Sequence, residues 1–440
     1  MASPRSLKLP HRSMTESQAK VTDDNQPREI FNRFLQTRSK SLDLCVHLSS
    51  EDMQVQSMED ASPAKWHLAH TTWFFETFIL NACASNYSTF DRDFQYLFNS
   101  YYNGIGPQFN RAKRGLLTRP SIDQIITYRN YVDETIQTLY SHSDWTTLDK
   151  MGALLELGIQ HEQQHQELIL TDIKHAFFQN PRFPSVLRED ETRVIQIDSR
   201  LDWAFFEGGI YTIGYAGDEF CFDNERPNHR VFLEPFRIAS RLTTNAEYLS
   251  FLESGGYERP EFWLSEAWQI LQSNSRKAPL YWRKRDNEWF QFTLSGLLPL
   301  DPSAPLMHVN YYEADAFARW SGKRLPTEQE WEVASRSGAI HSDLQDPRTS
   351  IPAIPSGVRL RQMFNCVWQW TGSGYSPYPG YRPLPGTVGE YNGKFMVNQY
   401  VLRGGSIATP AGHIRGTYRN FFYPGASWQF SGIRLADSER

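Results

Sequence analysis

Cysteine is scarce in this chain. Cys45, Cys83, Cys221 and Cys366 are the only thiols in 440 residues. They are too few and too scattered for a disulfide framework, and no CxxC pair occurs, which argues against a zinc knuckle or a thioredoxin-type motif. Such usage fits a reducing cytoplasm. Basic charge is not in excess either: 45 Lys and Arg face 50 Asp and Glu, a formal net charge of −5. Composition therefore gives no support for nucleic acid as a partner. No window approaches the roughly 18 uninterrupted apolar residues of a membrane span, so none is expected. The opening "MASPRSLKLPHRSMTESQAKVTDDNQPRE" is polar and lacks the apolar core of a secretory signal. Residues 1–27 are expected to form a disordered tail. Internal repeats and low-complexity segments are also missing.

Aromatic residues, by contrast, are abundant, with 13 Trp, 21 Tyr and 28 Phe. A chain so composed can line pockets with rings and phenols. Its length is more than one core needs and points to two or more domains. Residues 28–180 read as helical. Apolar residues recur at helical spacing in "EIFNRFLQTRSKSLDLCVHL", "SPAKWHLAHTTWFFETFILNAC", "SIDQIITYRNYVDETIQTLYSH" and "WTTLDKMGALLELGIQHEQQHQELILTDIKHAFF". Ser62 is a candidate N-cap for the second segment, with Pro63 at its first helical position. Four such helices predict an up-and-down bundle. Residues 181–200 read as a linker. Beyond it, residues 201–440 carry Gly, Pro and short β-rich runs interrupted by short helices, a mixed α+β texture. The chain is thus expected to be a multidomain α plus (α+β) protein.

Five constellations carry chemistry. His161 and His165 in "HEQQHQELIL" share one helix face at i and i+4, a spacing that can hold one metal ion. The same residues fit HExxH, in which Glu162 would be the base of a zinc protease. They also fit a polar helix surface with two solvated histidines. His67 and His70 in "WHLAH" are either satisfied core histidines or a source of a third ligand from a facing helix. Imidazole suits Zn, Fe, Cu and Ni, so ligand type does not choose the metal. Tyr101 and Tyr102 lie in a long loop between the second and third helices. They are packing aromatics or, near a metal, proton donors. Arg111 and Arg114 are solvated loop charges or a clamp for a carboxylate. Finally, "TYRNFFYPGASWQF" has the composition of a pocket wall.

Together these residues resemble the ergothioneine-biosynthesis sulfoxide synthases (EgtB), the iron enzymes that convert hercynine. The resemblance covers roughly residues 28–440. "SPAKWHLAHTTWFFETFIL" and "HEQQHQELIL" resemble the helices of a DinB-like four-helix bundle. "GGIYTIG", "FDNERPNHRVFL", "KRLPTEQEWEVAS", "WQWTGS", "VLRGGS" and "FSGIRLA" resemble the formylglycine-generating-enzyme (sulfatase-modifying-factor) fold, itself C-type-lectin-like. The resemblance implies an iron(II) held by His70, His161 and His165. His67 matches no ligand position and is expected to pack or hydrogen-bond. It implies O2-dependent joining of a thiol to C2 of the imidazole of trimethylhistidine (hercynine), giving a sulfoxide. Arg111 and Arg114 resemble the clamp for the thiol substrate's carboxylate. Gln164 matches a glutamine near the imidazole, and Asn420 matches a contact to the hercynine carboxylate. Phe421 and Phe422 follow in the same wall.

Two departures from the family pattern bear on substrate. Members using γ-glutamylcysteine carry an acidic residue where this chain has Phe422, which favours L-cysteine. Those members also carry their catalytic tyrosine in the C-terminal domain, where "GYSPYPGYRPLPG" offers no clear match. The branch with a Tyr-Tyr loop makes Tyr101 and Tyr102 the catalytic candidates, with Tyr102 as proton donor and Tyr101 in support. No cysteine follows Cys366, which argues against formylglycine generation. Alternatives are the same chemistry with γ-glutamylcysteine, histidine (ovothiol type) or a selenosugar (selenoneine type), a zinc-dependent thiol transferase, and a lectin-like binding module with a structural metal. The expected partners are small molecules, neither nucleic acid nor membrane, and the active site is expected between the two domains.

Overall fold

A computed structural model describes residues 25–187, 200–274, 276–336 and 360–438. Most of the expected tail and linker, residues 1–24 and 188–199, lies outside them. Four long helices make the N-terminal unit: α1 (Asn25–Asp43), α2 (Ala64–Phe75), α3 (Ile122–His142) and α4 (Trp145–Gln179). Local chemistry starts two of them. Ser121 and Gln124 form a capping box at α3, and Asp144 accepts from the backbone N–H of Thr147 at α4, each satisfying otherwise orphaned donors. At α2 the expected cap is not made. The helix starts at Ala64 with no side-chain cap. Ser62 instead donates its backbone N–H to Asp172 (2.7 Å) and accepts from Arg114 at its hydroxyl (3.0 Å). Two buried charged residues outbid the local cap.

Helix α4 packs against both α1 and α2, and α2 packs against α3. Phe34, Trp73, Phe75, Tyr128, Val132 and Leu155 fill the space between them. Close approach of α2 and α4 requires a glycine: a Cβ on Gly158 would lie 2.3 Å from the Phe75 ring. A buried ionic knot sets the phase of α4. Glu162, fully buried, accepts from Arg38 of α1 (2.9 Å), from Arg129 of α3 and from the Ser41 hydroxyl (2.6 Å). Burial pushes its carboxyl up, but the two guanidiniums and Ser41 outweigh that and hold it at about 2.

The C-terminal unit is built from small sheets. Strands β1 (Trp203–Phe206), β4 (Phe236–Ala239) and β12 (Ala436–Ser438) form one, and β2 (Gly209–Ile213) pairs with β3 (His229–Leu233). Strands β5 (Trp282–Arg285), β6 (Glu288–Thr293) and β7 (Gly296–Pro299) form a meander. The fourth sheet has the order β10 (Asn420–Phe422), β9 (Tyr400–Arg403), β8 (Trp368–Gly374) and β11 (Ser431–Gly432). Helices α5 (Asn245–Glu253), α6 (Ser265–Asn274), α7 (Tyr311–Trp320) and α8 (Glu328–Ser335) accompany these strands. They close a core that includes Trp282, Trp331, Trp368 and Trp370.

Helix α4 also belongs to this second unit. Glu167 accepts hydrogen bonds from Trp368 (2.7 Å), Ser406 (2.6 Å) and Thr409 (2.7 Å). Gln164 donates to the Tyr418 hydroxyl (2.8 Å), and Gln160 pairs with His413 (2.7 Å). Among the described residues no helix is long and apolar enough to cross a membrane.

Substituting Glu162 by Gln breaks the knot and leaves buried guanidinium charge uncompensated. We expect a loss of about 3–5 kcal/mol in chemical denaturation; a loss below about 1 kcal/mol would show that the knot does not hold the bundle.

Candidate metal centre

The cleft between the bundle and the C-terminal unit encloses a cavity of about 510 Å³. On its bundle wall, α2 supplies His67 and His70, and α4 supplies His161 and His165, one helical turn apart. One ligand nitrogen each from His70, His161 and His165 falls within 4.8 Å of the others. The Nε2 atoms of His70 and His161 are 3.2 Å apart. His70 Nδ1 hydrogen-bonds the Phe98 carbonyl oxygen (2.6 Å), which puts its proton on Nδ1 and leaves the Nε2 lone pair facing His161. Burial, then the neighbouring imidazoles, holds His70 and His165 well below the ordinary histidine range. Burial likewise lowers His161 to about 3, against an opposing pull from Glu162. Three neutral imidazoles with converging lone pairs suit a divalent cation that nitrogen ligands favour. The nearby HExxH glutamate does not join them, because Glu162 is spent in the bundle knot.

The tyrosine loop and the arginines reach the same cavity from the segment between α2 and α3. Arg111–Leu116 form a 3-10 helix, started by Asn110, whose side chain accepts from the backbone N–H of Ala112. Residues three apart eclipse in such a helix, so Arg111 and Arg114 lie on one side. Arg111 donates to the Tyr101 hydroxyl (2.6 Å) and to the Asp60 carbonyl. Arg114 is buried. It donates to Ser62 and Ser100 (3.0 and 2.9 Å) and lies 3.4 Å over the Trp66 ring. Among the described residues it ion-pairs with no carboxylate, and burial lowers it to about 9.

Tyr101 adopts φ +67°. The C-terminal unit clasps this loop: Glu390 accepts the backbone N–H groups of Asn103 and Gly104 (both 2.9 Å), and Lys394 donates to the Tyr101 carbonyl. Tyr102 is buried among Trp73, Phe74 and Phe78. Its hydroxyl makes no hydrogen bond among the described residues, and burial raises it.

The opposite wall comes from β10 and the turn after it. Asn420, Phe421 and Phe422 all line the cavity, as do Gln164 and the residues already placed. Phe421 stacks on Tyr375 (4.1 Å). Every site residue expected from sequence therefore reaches one cavity. Asp172, Tyr391 and His413 line it without having been expected there, while Tyr418 and Gln429 belong to the run read as a pocket wall. Asp172 lies seven residues beyond His165, two helical turns along one face, a spacing that would have identified it. Nothing local marks Tyr391. None of the tyrosines of "GYSPYPGYRPLPG" lines the cavity: Tyr375 hydrogen-bonds Asn224 (2.9 Å), Tyr378 meets Glu328 (3.4 Å) and Tyr381 meets Asp223 (3.2 Å). None of the four cysteines lines it.

Comparison with known proteins agrees with this two-part architecture. A DinB superfamily model matches residues 33–169, and a sulfatase-modifying factor enzyme 1-like domain matches 198–349 and 340–439. The hercynine oxygenase of Mycobacterium tuberculosis is 33% identical over 66% of this chain and 74% of its own length. The chain belongs to the hercynine oxygenase family. A second hercynine oxygenase, from Mycolicibacterium smegmatis, is 32% identical over 66% of the chain and 72% of its own length. The formylglycine-generating enzyme of Streptomyces coelicolor is 33% identical but matches only 45% of the chain. Membership of the hercynine oxygenase family accounts for the joint presence of bundle and sulfatase-modifying-type domain, which neither part alone explains.

The Glu390 clasp has a direct readout. Charge-assisted hydrogen bonds contribute about 1.5–3 kcal/mol each, so Glu390→Ala should speed hydrogen exchange at the Asn103 and Gly104 amides by on the order of tenfold or more. Unchanged exchange would mean that the loop holds itself.

Proposed function

We propose that this chain is a non-haem iron(II), O2-dependent sulfoxide synthase that joins the sulfur of L-cysteine to C2 of the hercynine imidazole, giving hercynylcysteine sulfoxide. The observation that carries the reading is the pairing, in one interdomain cavity, of three converging neutral imidazoles with a buried arginine that lacks a carboxylate partner. His70, His161 and His165 would hold the iron. When bound, such a metal with open coordination positions supplies redox and Lewis-acid chemistry toward O2 and the thiol.

The protein's own groups have distinct tasks. Arg114 and Arg111 bind the cysteine carboxylate in bidentate fashion. A buried guanidinium that meets only two hydroxyls, its Nε unpaired among the described residues, attracts an anion strongly, because water does not screen it. Gln164 donates to Tyr418, and its side-chain oxygen, without a partner among the described residues, can accept the imidazole N–H of hercynine. The Asn420 amide N–H group, equally unpartnered, can donate to the hercynine carboxylate while its oxygen accepts from the Phe421 backbone. Phe421 and Phe422 form an apolar wall. Phe422 sits close to Trp428 (6.4 Å) and presents no carboxylate to a glutamyl ammonium, which favours cysteine over γ-glutamylcysteine. Tyr102, which lines the cavity and whose hydroxyl has no hydrogen-bond partner among the described residues, is the proton donor to the reacting oxygen; Tyr101, bound to Arg111, supports the clamp.

Anaerobic loading with Fe(II), hercynine and cysteine, followed by O2, should give the sulfoxide adduct by mass spectrometry. Iron bound without adduct sinks the reading. Turnover confined to γ-glutamylcysteine, histidine or a selenosugar would reassign the substrate, and metal retained without O2 consumption would favour a binding module. Arg114→Leu should raise the KM for cysteine on the order of 100-fold, with a smaller change in KM for hercynine; equal changes would displace Arg114 from the thiol site.

A further inference from the structure

The ring nitrogens of His165 raise a question that the three candidate ligands alone do not answer: what holds its proton in place. His165 Nδ1 lies 2.8 Å from Nδ1 of His67. The other nitrogen of His67, Nε2, lies 3.1 Å from Asp172 Oδ2. That same oxygen accepts the Ser62 backbone N–H at 2.7 Å. His165 and Asp172 belong to α4, His67 to α2, and Ser62 lies two residues before α2; His67 and Asp172 are buried.

The proton positions follow from donor and acceptor rules. A carboxylate only accepts, so His67 carries its proton on Nε2. If His165 Nε2 is to stay open to a metal, His67 Nδ1 is then the acceptor. The 2.8 Å contact needs one proton, which must sit on His165 Nδ1. His165 Nε2 is left with its lone pair. Thus a carboxylate two hydrogen bonds away selects which His165 nitrogen can bind a metal. His70 reaches the same tautomer by a shorter route, through the Phe98 carbonyl. His161 has no such partner: its Nδ1 is buried and unpaired among the described residues.

We infer that His67 and Asp172 are positioning residues, forming a relay that holds His165 in the tautomer and ring orientation that present Nε2 to a divalent metal. The inference rests on the proposed metal centre and goes beyond it, since His67 then acts as a hydrogen-bond acceptor and not as a ligand. The relay also meets the substrate side of the cavity. Ser62, which anchors Asp172 through its backbone, accepts Arg114 at its hydroxyl. One serine therefore fixes both the outer end of the relay and the carboxylate clamp.

Metal affinity tests this without turnover. Fe(II) and Co(II) dissociation constants are measured anaerobically by chelator competition on the full chain, for the parent and for folded His67→Phe, His67→Gln, Asp172→Asn and His70→Ala variants. Loss of such a partner typically weakens metal binding about 10–100-fold, and His67→Phe should fall in that range. His67→Gln, whose side-chain oxygen can accept from His165 Nδ1, should recover most of the loss. Should His67→Phe fail to fold, Asp172→Asn carries the same test, with a smaller expected loss of several-fold. Nitrogen-detected NMR of the zinc-loaded, histidine-labelled parent should show His165 protonated at Nδ1 and His67 at Nε2. Parental affinity in His67→Phe or Asp172→Asn, or a metal shift on His67 itself, overturns the relay. The His70→Ala control separates the two readings. If it loses affinity while His67→Phe does not, the relay alone fails; if it binds like the parent, the metal centre fails and the relay with it.

Discussion

The Glu162 knot is the constraint on which the rest depends. A carboxylate without access to water tolerates its burial only if charge and hydrogen bonds surround it. Arg38 from α1, Arg129 from α3 and Ser41 meet that condition from different helices. Once Glu162 points into the bundle, the helical repeat dictates where its neighbours point. His161 and His165 turn toward α2, and Gln160, Gln164 and Glu167 turn toward the C-terminal unit. A single 35-residue helix thus serves as core, ligand bearer and domain interface at once.

The cavity formed along that helix has an uneven electrostatic character. Its bundle wall holds imidazoles kept neutral by burial and one buried guanidinium without an anionic partner. Its far wall is rings and amides from β10 and the turn beyond it. Such a site can separate two polar small molecules, one drawn to charge and one to stacking surfaces and amide groups. The tyrosine loop spans the two walls. It leaves the bundle, yet its backbone is held by Glu390 and Lys394 of the other unit, so its geometry depends on the domains staying docked.

Much of this was legible beforehand. Four helical stretches, the change of texture near residue 181 and the i, i+4 histidine pair are local patterns. Each follows from side-chain periodicity or turn chemistry within a few residues. Glu162 shows where local reading falls short. Its HExxH context suggests a catalytic base, and only the two arginines, 124 and 33 residues away in sequence, reveal a structural role. Ser62 is similar: the rules favour a cap, and Asp172, 110 residues on, takes its N–H instead.

The amino-acid sequence by itself determined the helices, the spacing that lets two histidines share one face, and the aromatic stock of the pocket walls, because each depends on neighbours along the chain. Tertiary structure alone decided that His70 meets His161, that Arg114 is buried without a carboxylate, that Asp172 reaches His165 through His67, and that Glu390 clasps a loop 286 residues upstream. Those outcomes arise from packing between distant segments, where desolvation makes each unpaired polar group costly and so selects partners that no local pattern encodes.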